Sequence, residues 1–213
     1  MKSEVTIGVL GLQGDIEENI TATKHALNKM KVRGNVNAVR YSEEIERVDG
    51  LILPGGESTV ISKLISIQGG TLETIKRRIS NGMPAMGTCA GMIMLSKRAY
   101  DRVVGEIKQR LIHNLDIVVE RNAFGRQNDS FEADLEIPIL GKGKFRGVFI
   151  RSPIIRETGM GVNEIAKFNN NIVAVKQENI IGTAFHPELS GDDRLHRQFI
   201  EMIIEFKKKV NQG

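Results

Sequence analysis

The apolar and polar positions in the first half of the chain alternate between two periods. Short apolar runs rich in β-branched residues, such as Val5–Leu10 and Gly50–Leu53, predict buried strands. Apolar residues at helical spacing predict a helix from Ile16 to about Met30, with Asp15 as its N-terminal cap. The same reasoning predicts strands at 36–40 and 84–87, a helical turn from 42, and helices at 58–67, 72–80 and 90–98. This alternation favours a parallel sheet covered by helices on both faces.

After about residue 115 the pattern changes to short apolar strands with few helices between them. The turn signal Asn169-Asn170-Asn171 separates two of these strands, so antiparallel hairpins are expected here. An amphipathic helix follows from Asp193 to about Lys208. The predicted strands of this half are 115–120, 130–135, 145–150, 165–168, 172–177 and 180–185. Residues 1–213 are therefore expected to form a single α/β domain of three layers, with a mostly parallel central sheet, helices on both faces and an antiparallel extension.

Composition and charge narrow the class of protein. The 213 residues are 40% apolar and 26% charged, which is ordinary for a globular protein. No apolar run approaches the ~18 residues needed to span a bilayer, and the first residues do not resemble a secretory signal, so no membrane contact is expected. A single cysteine fits a reducing, cytoplasmic compartment. The net charge of +4 comes from scattered basic residues, and nucleic-acid binding is not expected.

The single cysteine is the residue that points most directly to chemistry. Cys89 lies between a short apolar strand and a helix, within Gly87-Thr88-Cys89-Ala90-Gly91. Glycines two residues to either side allow the tight strand-to-helix turn that holds a nucleophile exposed in hydrolases. The helix N-terminus favours a thiolate, and the N–H of Ala90 is available to an oxyanion. The alternative is that Cys89 is a small buried hydrophobe, as free cysteines often are.

A thiol nucleophile requires a base and a group that orients the base. Of the four histidines, His186 is the best candidate because it follows an apolar strand and begins His186-Pro187-Glu188. Proline keeps the preceding residue extended, so the side chains of His186 and Glu188 are expected to project together. Such a carboxylate would orient the imidazole. The alternative is a solvent-facing loop histidine beside an unrelated acid. His25 and His196 lie on predicted helices and are expected at the surface.

A glycine-rich loop follows another predicted parallel strand. The sequence Pro54-Gly55-Gly56-Glu57-Ser58-Thr59 stands at the carboxyl end of that strand, where the ligand sites of such sheets gather. Consecutive glycines leave backbone N–H groups accessible, which suits an oxyanion hole or a ligand's carboxylate. The glycine–lysine spacing of a phosphate-binding loop is absent. The alternative is an ordinary strand-to-helix turn capped by Ser58 or Glu57.

These three elements together resemble those of the class I glutamine amidotransferases. Longer blocks are similar to one family within that class, the glutaminase subunits of pyridoxal 5'-phosphate synthase. The blocks are Gly8–Gly14, Leu51–Thr59, Val119–Gln127, Ser130–Asp134 and Gly147–Pro153. The resemblance extends from about Val5 to the last helix. Two features depart from it: Val60 replaces the usual Ser, Thr or Ala, and residues 98–114 are longer and more basic than is usual.

The resemblance implies a role for each matching residue. Cys89 would be the nucleophile, His186 the acid–base group and Glu188 its orienting carboxylate. The oxyanion hole would consist of the N–H groups of Ala90 and of the loop at Gly55 and Gly56. The residues implied to contact glutamine are Gly56, Glu57, Ser58, Arg121, Ile150 and Arg151. For the two arginines taken alone, the alternative is a surface ion pair.

The activity that the resemblance implies is hydrolysis of L-glutamine to L-glutamate and ammonia, without a metal or a cofactor. It also implies a partner, the barrel-shaped synthase subunit that uses ammonia to build pyridoxal 5'-phosphate, and Gln13 stands where it could signal across that interface. Two alternatives remain. One is an amidotransferase that serves another synthase, such as that of histidine or guanine nucleotide synthesis. The other is a catalytically silent binding subunit on the same fold, against which the intact Cys89, His186 and Glu188 argue.

Overall fold

The first half of the chain forms a parallel sheet with helices between its strands. The computed structural model describes residues 4–101, 103–106, 108–123 and 130–212. Strand β1 (Val5–Leu10) pairs in parallel with β2 (Gly34–Val39) and β3 (Gly50–Leu53), and β3 pairs in parallel with β4 (Ala85–Thr88). The elements are β1 (Val5–Leu10), α1 (Ile16–Met30), β2 (Gly34–Val39), α2 (Ser42–Ile45), β3 (Gly50–Leu53), α3 (Ser58–Ile67), α4 (Thr71–Ser80), β4 (Ala85–Thr88) and α5 (Ala90–Leu95).

The second half extends this sheet with mostly antiparallel strands. Its elements are β5 (Ser96–Asp101), β6 (Gly105–Glu106), β7 (Leu115–Arg121), β8 (Ser130–Leu135), β9 (Phe145–Ile150), β10 (Ile154–Thr158), β11 (Asn163–Phe168), β12 (Asn171–Gln177), β13 (Ile180–Thr183) and α6 (Arg194–Val210). Strand β13 lies parallel to β4 and antiparallel to β12. The sheet order is β2-β1-β3-β4-β13-β12-β10-β7-β5-β6, with β11 paired to β12, while β8 and β9 form a separate hairpin. The predicted antiparallel extension is therefore confirmed.

The helices form two groups, one on each side of the sheet. Helix α1 packs against α6, while α2 contacts α4, α4 contacts α3 and α3 contacts α5. Every residue of β3 and β4 is buried, as expected for strands covered on both faces. Phe145, Phe149, Phe185 and Phe199 are among the largest fully buried side chains, and each stabilises the fold by roughly 1.5–3 kcal/mol. The three-layer α/β prediction is confirmed, and the single-domain organisation of residues 1–213 stays a prediction.

Three strands of the second half, β5, β6 and β10, are absent from the sequence prediction. The helix predicted at 90–98 ends at Leu95, and the following residues form β5 instead. The reason is Ser96, whose buried hydroxyl donates to the Ile93 carbonyl while its backbone turns extended and pairs with β7. Strand β10 was not predicted, because its short apolar start, Ile154 and Ile155, is followed by polar residues. The segment is a strand because it pairs with β7 and β12, and the local sequence pattern does not reveal this pairing.

The predictions for two histidines have opposite outcomes. His25 is exposed on α1, as expected, but His196 on α6 is fully buried. The helical spacing of His196 with Phe199, Ile200 and Ile203, which are also buried, could have revealed this. Burial lowers the pKa of His196 to about 4, since a charged ring is disfavoured away from water, and the nearby Asp193 offsets only part of this effect.

Two residues of the 98–114 stretch, Gln109 and Arg110, contact the first half of α3. The described part of this stretch contains β5 and β6, and the segment after them contacts α3, where the Arg110 N–H donates to the Ser62 hydroxyl at 2.8 Å. Val60 on the same helix is 39% exposed. Residues 102 and 107, and the 124–127 end of the 119–127 block, lie outside the described residues. Among the described residues, no helix combines the length and the apolar content needed to cross a membrane.

Candidate active site

The turn between β4 and α5 holds Cys89 in a strained backbone conformation. Its φ of 48° and ψ of −104° lie outside the regions that residues with side chains normally adopt. Close packing surrounds the turn, because a Cβ on Gly91 would lie 1.9 Å from the Leu53 carbonyl oxygen. The predicted strand-to-helix elbow is therefore present. Its thiol is less accessible than predicted: Cys89 is only 7% exposed and lines a cavity.

The imidazole of His186 lies on the same cavity. Its Nδ1 is 2.9 Å from Oε1 of Glu188, a carboxylate whose side chain is fully buried. The two side chains meet as predicted, but the expected extended backbone is wrong. Residues Pro187–Leu189 form a 3-10 turn rather than extended chain, and this turn folds Glu188 back onto the ring.

A second carboxylate, from Asp15, also contacts His186. Asp15 stands at the predicted cap position of α1, but its side chain makes no capping hydrogen bond to the described backbone, so the cap prediction is wrong. Its Oδ2 lies 3.1 Å from Nδ1 of His186, and its backbone N–H donates to the Gly55 carbonyl at 3.1 Å. No signal in the sequence distinguishes this arrangement, because an aspartate before a helix ordinarily caps it.

These contacts fix the charge of His186. Burial lowers its pKa, but the neighbouring Asp15, Cys89 and Glu188 side chains outweigh burial and raise the pKa of His186 to about 12. The ring is therefore an imidazolium at neutral pH, with Nδ1–H facing both carboxylates. Its Nε2 has no hydrogen-bond partner among the described residues, which leaves it for a reacting group.

The cluster of Asp15, His186 and Glu188 also has the spacing of a cation site. One polar atom from each residue lies within 4.8 Å of the other two. A protonated ring nitrogen, however, has no lone pair to offer a metal. We therefore interpret the cluster as an acid–base group.

The glycine-rich loop packs against the segment that follows β1. A Cβ on Gly14 would lie 1.7 Å from the Gly55 carbonyl oxygen, so only glycine fits there. The side-chain oxygen of Gln13 accepts a hydrogen bond from the Glu57 N–H at 2.8 Å. Gly56 has a φ of +152°, in the range that favours glycine. The loop conformation therefore depends on both neighbouring segments.

An ion pair forms one wall of the cavity. Nη2 of Arg121 donates to Oε1 of Glu57 at 2.6 Å, and Glu57 also accepts from the Thr59 hydroxyl at 3.0 Å. Arg151, with a φ of 44°, follows β9 and lines the cavity as well. Ser58 is 1% exposed and directs its hydroxyl to the Gln109 side chain at 3.3 Å. Both arginines are therefore in the site, although Arg121 does form an ion pair.

The cavity itself measures about 240 Å³, which is small beside the ~300–1,000 Å³ typical of drug-sized ligands. It suits a ligand of amino-acid size. Ile93 and Asn122 line it and were not predicted. Gly55, Ala90 and Glu188 flank the lining residues, which are Gln13, Gly14, Asp15, Gly56, Glu57, Ser58, Cys89, Ile93, Arg121, Asn122, Ile150, Arg151 and His186.

Comparison with known protein families identifies the class of this site. The model of the SNO glutamine amidotransferase family matches residues 9–205. The chain belongs to the SNO glutamine amidotransferase family. As a member of that family it is an enzyme, a glutamine amidotransferase. The elbow, the histidine and the glycine-rich loop all lie within the matched residues.

Individual glutamine amidotransferases resemble the chain over most of its length. It is 45% identical over 202 residues to the "Pyridoxal 5'-phosphate synthase subunit PdxT" of Nitrosopumilus maritimus, covering 95% of this chain and 98% of the relative. The protein of the same description from Archaeoglobus fulgidus is 47% identical over 196 residues, covering 92% and 97%. A solved structure described as "Crystal structure of glutamine amidotransferase" is 43% identical with a TM-score of 0.80, covering 92% and 98%.

Proposed function

We propose that this glutamine amidotransferase hydrolyses L-glutamine to L-glutamate and ammonia at Cys89, and that the ammonia passes to a synthase that makes pyridoxal 5'-phosphate. The observation that carries the proposal is the strained Cys89 on one small cavity with His186, whose Nδ1 is held by Glu188 at 2.9 Å. The relatives described as pyridoxal 5'-phosphate synthase subunits support the identity of the partner, and they argue against a synthase of histidine or guanine nucleotide synthesis.

The first step is attack by the Cys89 thiolate on the carboxamide carbon of glutamine. A carbon–sulfur bond forms, and the carbonyl oxygen takes up the negative charge. The N–H of Ala90 is free of intrahelical bonding because it begins α5, so it can donate to this oxygen together with an N–H of the Gly55–Gly56 loop. Such a donor contributes ~2.7–4 kcal/mol to transition-state stability in a serine protease.

The second step is departure of ammonia. The His186 imidazolium gives the proton on Nε2 to the amide nitrogen, the carbon–nitrogen bond breaks, and a glutamyl thioester of Cys89 remains. The neutral imidazole then takes a proton from water, whose hydroxide attacks the thioester. Collapse of that intermediate releases glutamate and restores the thiolate–imidazolium pair. Glu188 holds the ring orientation throughout, and the sequence of steps uses neither a metal nor an organic cofactor.

The charged wall of the cavity would bind the α-carboxylate and the α-ammonium group of glutamine. A guanidinium suits the α-carboxylate, with which it forms paired hydrogen bonds, and the Glu57 carboxylate suits the α-ammonium group. Arg121 and Arg151 both line the cavity and both are candidates for the first role. Gly56, Ser58 and Ile150 would complete the walls of the substrate site.

Docking of the barrel synthase would act on this site through the loop. Gln13 is the residue we assign to the interface, because its side chain contacts the Glu57 N–H and thereby reaches the glycine-rich loop. The Gly55–Gly56 peptide would adopt its productive orientation when the partner docks, so that ammonia forms only where it is consumed. The cytoplasm, where a free thiol persists, is the compartment that suits this chemistry.

An electrophilic glutamine analogue tests the assignment of the nucleophile. We expect a diazoketone analogue of glutamine, added to the complex with the synthase, to label Cys89 stoichiometrically and to be excluded by excess glutamine. Intact-mass measurement and peptide mapping report both results. Labelling at another residue, or labelling that glutamine does not slow, would contradict the assignment. The matched control repeats the competition with excess glutamate in place of excess glutamine.

A further inference from the structure

Two carboxylates share one ring nitrogen of His186. Oε1 of Glu188 lies 2.9 Å from Nδ1 and Oδ2 of Asp15 lies 3.1 Å from it. The proposed reaction requires only one orienting carboxylate. The side chain of Glu188 is completely buried, whereas that of Asp15 is 35% exposed and lines the cavity. The proposed roles of Cys89, His186 and Glu188 therefore leave the position of Asp15 unexplained.

We propose that Asp15 is a second positioning residue for His186, and that it sets the imidazole and the glycine-rich loop together. Its carboxylate shares the Nδ1–H with Glu188, while its backbone N–H holds the Gly55 carbonyl at 3.1 Å. The inference rests on the proposed function, because it assigns Asp15 a part in that reaction.

The packing around Gly55 explains why the two tasks belong to one residue. A Cβ on Gly55 would lie 2.4 Å from Cε1 of His186 and 2.6 Å from Oδ2 of Asp15. The loop therefore lies directly against the Asp15–His186 pair, with no space for a side chain between them. Rotation of the Gly55–Gly56 peptide would break the bond from the Asp15 N–H. A change in the loop would thus reach the acid–base group through Asp15.

The charge of Asp15 has a measurable consequence for His186. The titratable groups that face the ring are Asp15 from the start of α1, Glu188 from the 3-10 turn and Cys89 from the elbow. Each of the three contacts favours the protonated ring. Loss of the Asp15 charge therefore favours the neutral ring, which deprotonates at a lower pH. Other charged groups that line the same cavity are Glu57, Arg121 and Arg151.

The test uses Asp15→Asn in the full chain, with Glu17→Gln as the matched control. Asparagine keeps the size of the side chain and the backbone N–H, and it suits the cap position of a helix. Glu17 lies in the first turn of the same helix, so its variant removes a neighbouring charge and leaves the His186 contacts intact. Asp15→Ser, which also suits a cap position, is the second variant if the first does not fold.

The protonation of His186 is read from the Cε1 resonance of histidine-labelled protein between pH 6 and 10.5, assigned with His186→Asn. We expect the ring to stay charged over this range in the wild type and in Glu17→Gln, and to lose its charge within it in Asp15→Asn. A ring that is still charged at pH 10.5 in Asp15→Asn would overturn the inference. This readout needs no glutamine, so it stands even if the proposed reaction fails.

Turnover by the complex with the synthase supplies the second readout. We expect Asp15→Asn to lower kcat for glutamine by about ten-fold or more and to change KM by less than two-fold, because Asp15 acts through His186. A kcat equal to that of the wild type would also overturn the inference. If Asp15→Asn raises KM and leaves kcat unchanged, then Asp15 contacts the substrate instead, and the positioning role is wrong.

Discussion

Nη2 of Arg121, at the end of β7, lies 2.6 Å from Oε1 of Glu57, at the start of α3. The arginine is 14% exposed and the glutamate 42%, so the pair lies at the mouth of the cavity. A positive and a negative group thus stand side by side where the charged end of a free amino acid would enter. Either the pair opens to receive the substrate, or the substrate binds across it.

Replacement of Arg121 tests its part in substrate recognition. We expect Arg121→Gln to raise KM for glutamine by about 10–100-fold and to change kcat less, because a hydrogen bond to a charged group contributes ~1.5–3 kcal/mol. Arg98→Gln is the control, since Arg98 pairs with the exposed Glu157. If Arg151→Gln gives the larger rise in KM, then Arg151 holds the α-carboxylate and Arg121 serves to position Glu57.

The contact between Gly14 and the Gly55 carbonyl predicts a sensitive position. A Cβ on Gly14 would lie 1.7 Å from that oxygen, and its φ of +110° disfavours any side chain. We expect Gly14→Ala to lower the free energy of unfolding by on the order of 1–3 kcal/mol and to reduce glutamine turnover, because the loop must shift. Gly69→Ala is the control, since a Cβ there meets nothing within 4 Å. Equal stability and equal activity of the two variants would count against the close packing.

Buried His196 predicts a loss of stability in acid. Its folded-state pKa is lowered to about 4, whereas the pKa of an unfolded chain's histidine is about 6.5. The unfolded state therefore binds more protons between these values, and the free energy of unfolding falls as the pH drops through this window. One such group supplies at most about 1.4 kcal/mol per pH unit.

The variant His196→Gln removes this titration. We expect its free energy of unfolding, measured by denaturant titration at pH 7 and pH 5, to change less with pH than that of the wild type. The exposed His25 provides the matched control, His25→Gln, which should keep the wild-type pH dependence. An unaltered pH dependence in His196→Gln would show that His196 is not the titrating group.

The features that the sequence predicts are those encoded by neighbouring residues. The apolar run of β1, the glycines around Cys89 and the Gly55–Gly56 loop each carry their signal within a few positions. Local pattern fails where distant segments decide the outcome. Strand β10 forms because β7 and β12 pair with it. The Asp15 side chain contacts His186, near the other end of the chain, instead of capping its own helix.

The histidines also show the difference between features encoded locally and features set by the fold. His186 was found from its place after a strand and from its neighbour Glu188, although the backbone between them is a turn and not extended chain. His196 was expected at the surface because it lies on a helix, but its helical spacing places it on the buried face with Phe199 and Ile203. Ile93 and Asn122, which were not assigned to the site from the sequence, also line the cavity.

Release of ammonia and glutamate from glutamine is the measurement that tests the account most directly. It compares the wild type with Cys89→Ala, each alone and with the cognate barrel synthase. We expect turnover by the wild type to rise sharply when the synthase is added, and no turnover by Cys89→Ala, whose fold should remain intact by thermal unfolding. Comparable turnover by Cys89→Ala, or no consumption of glutamine by the wild-type complex, would contradict the account.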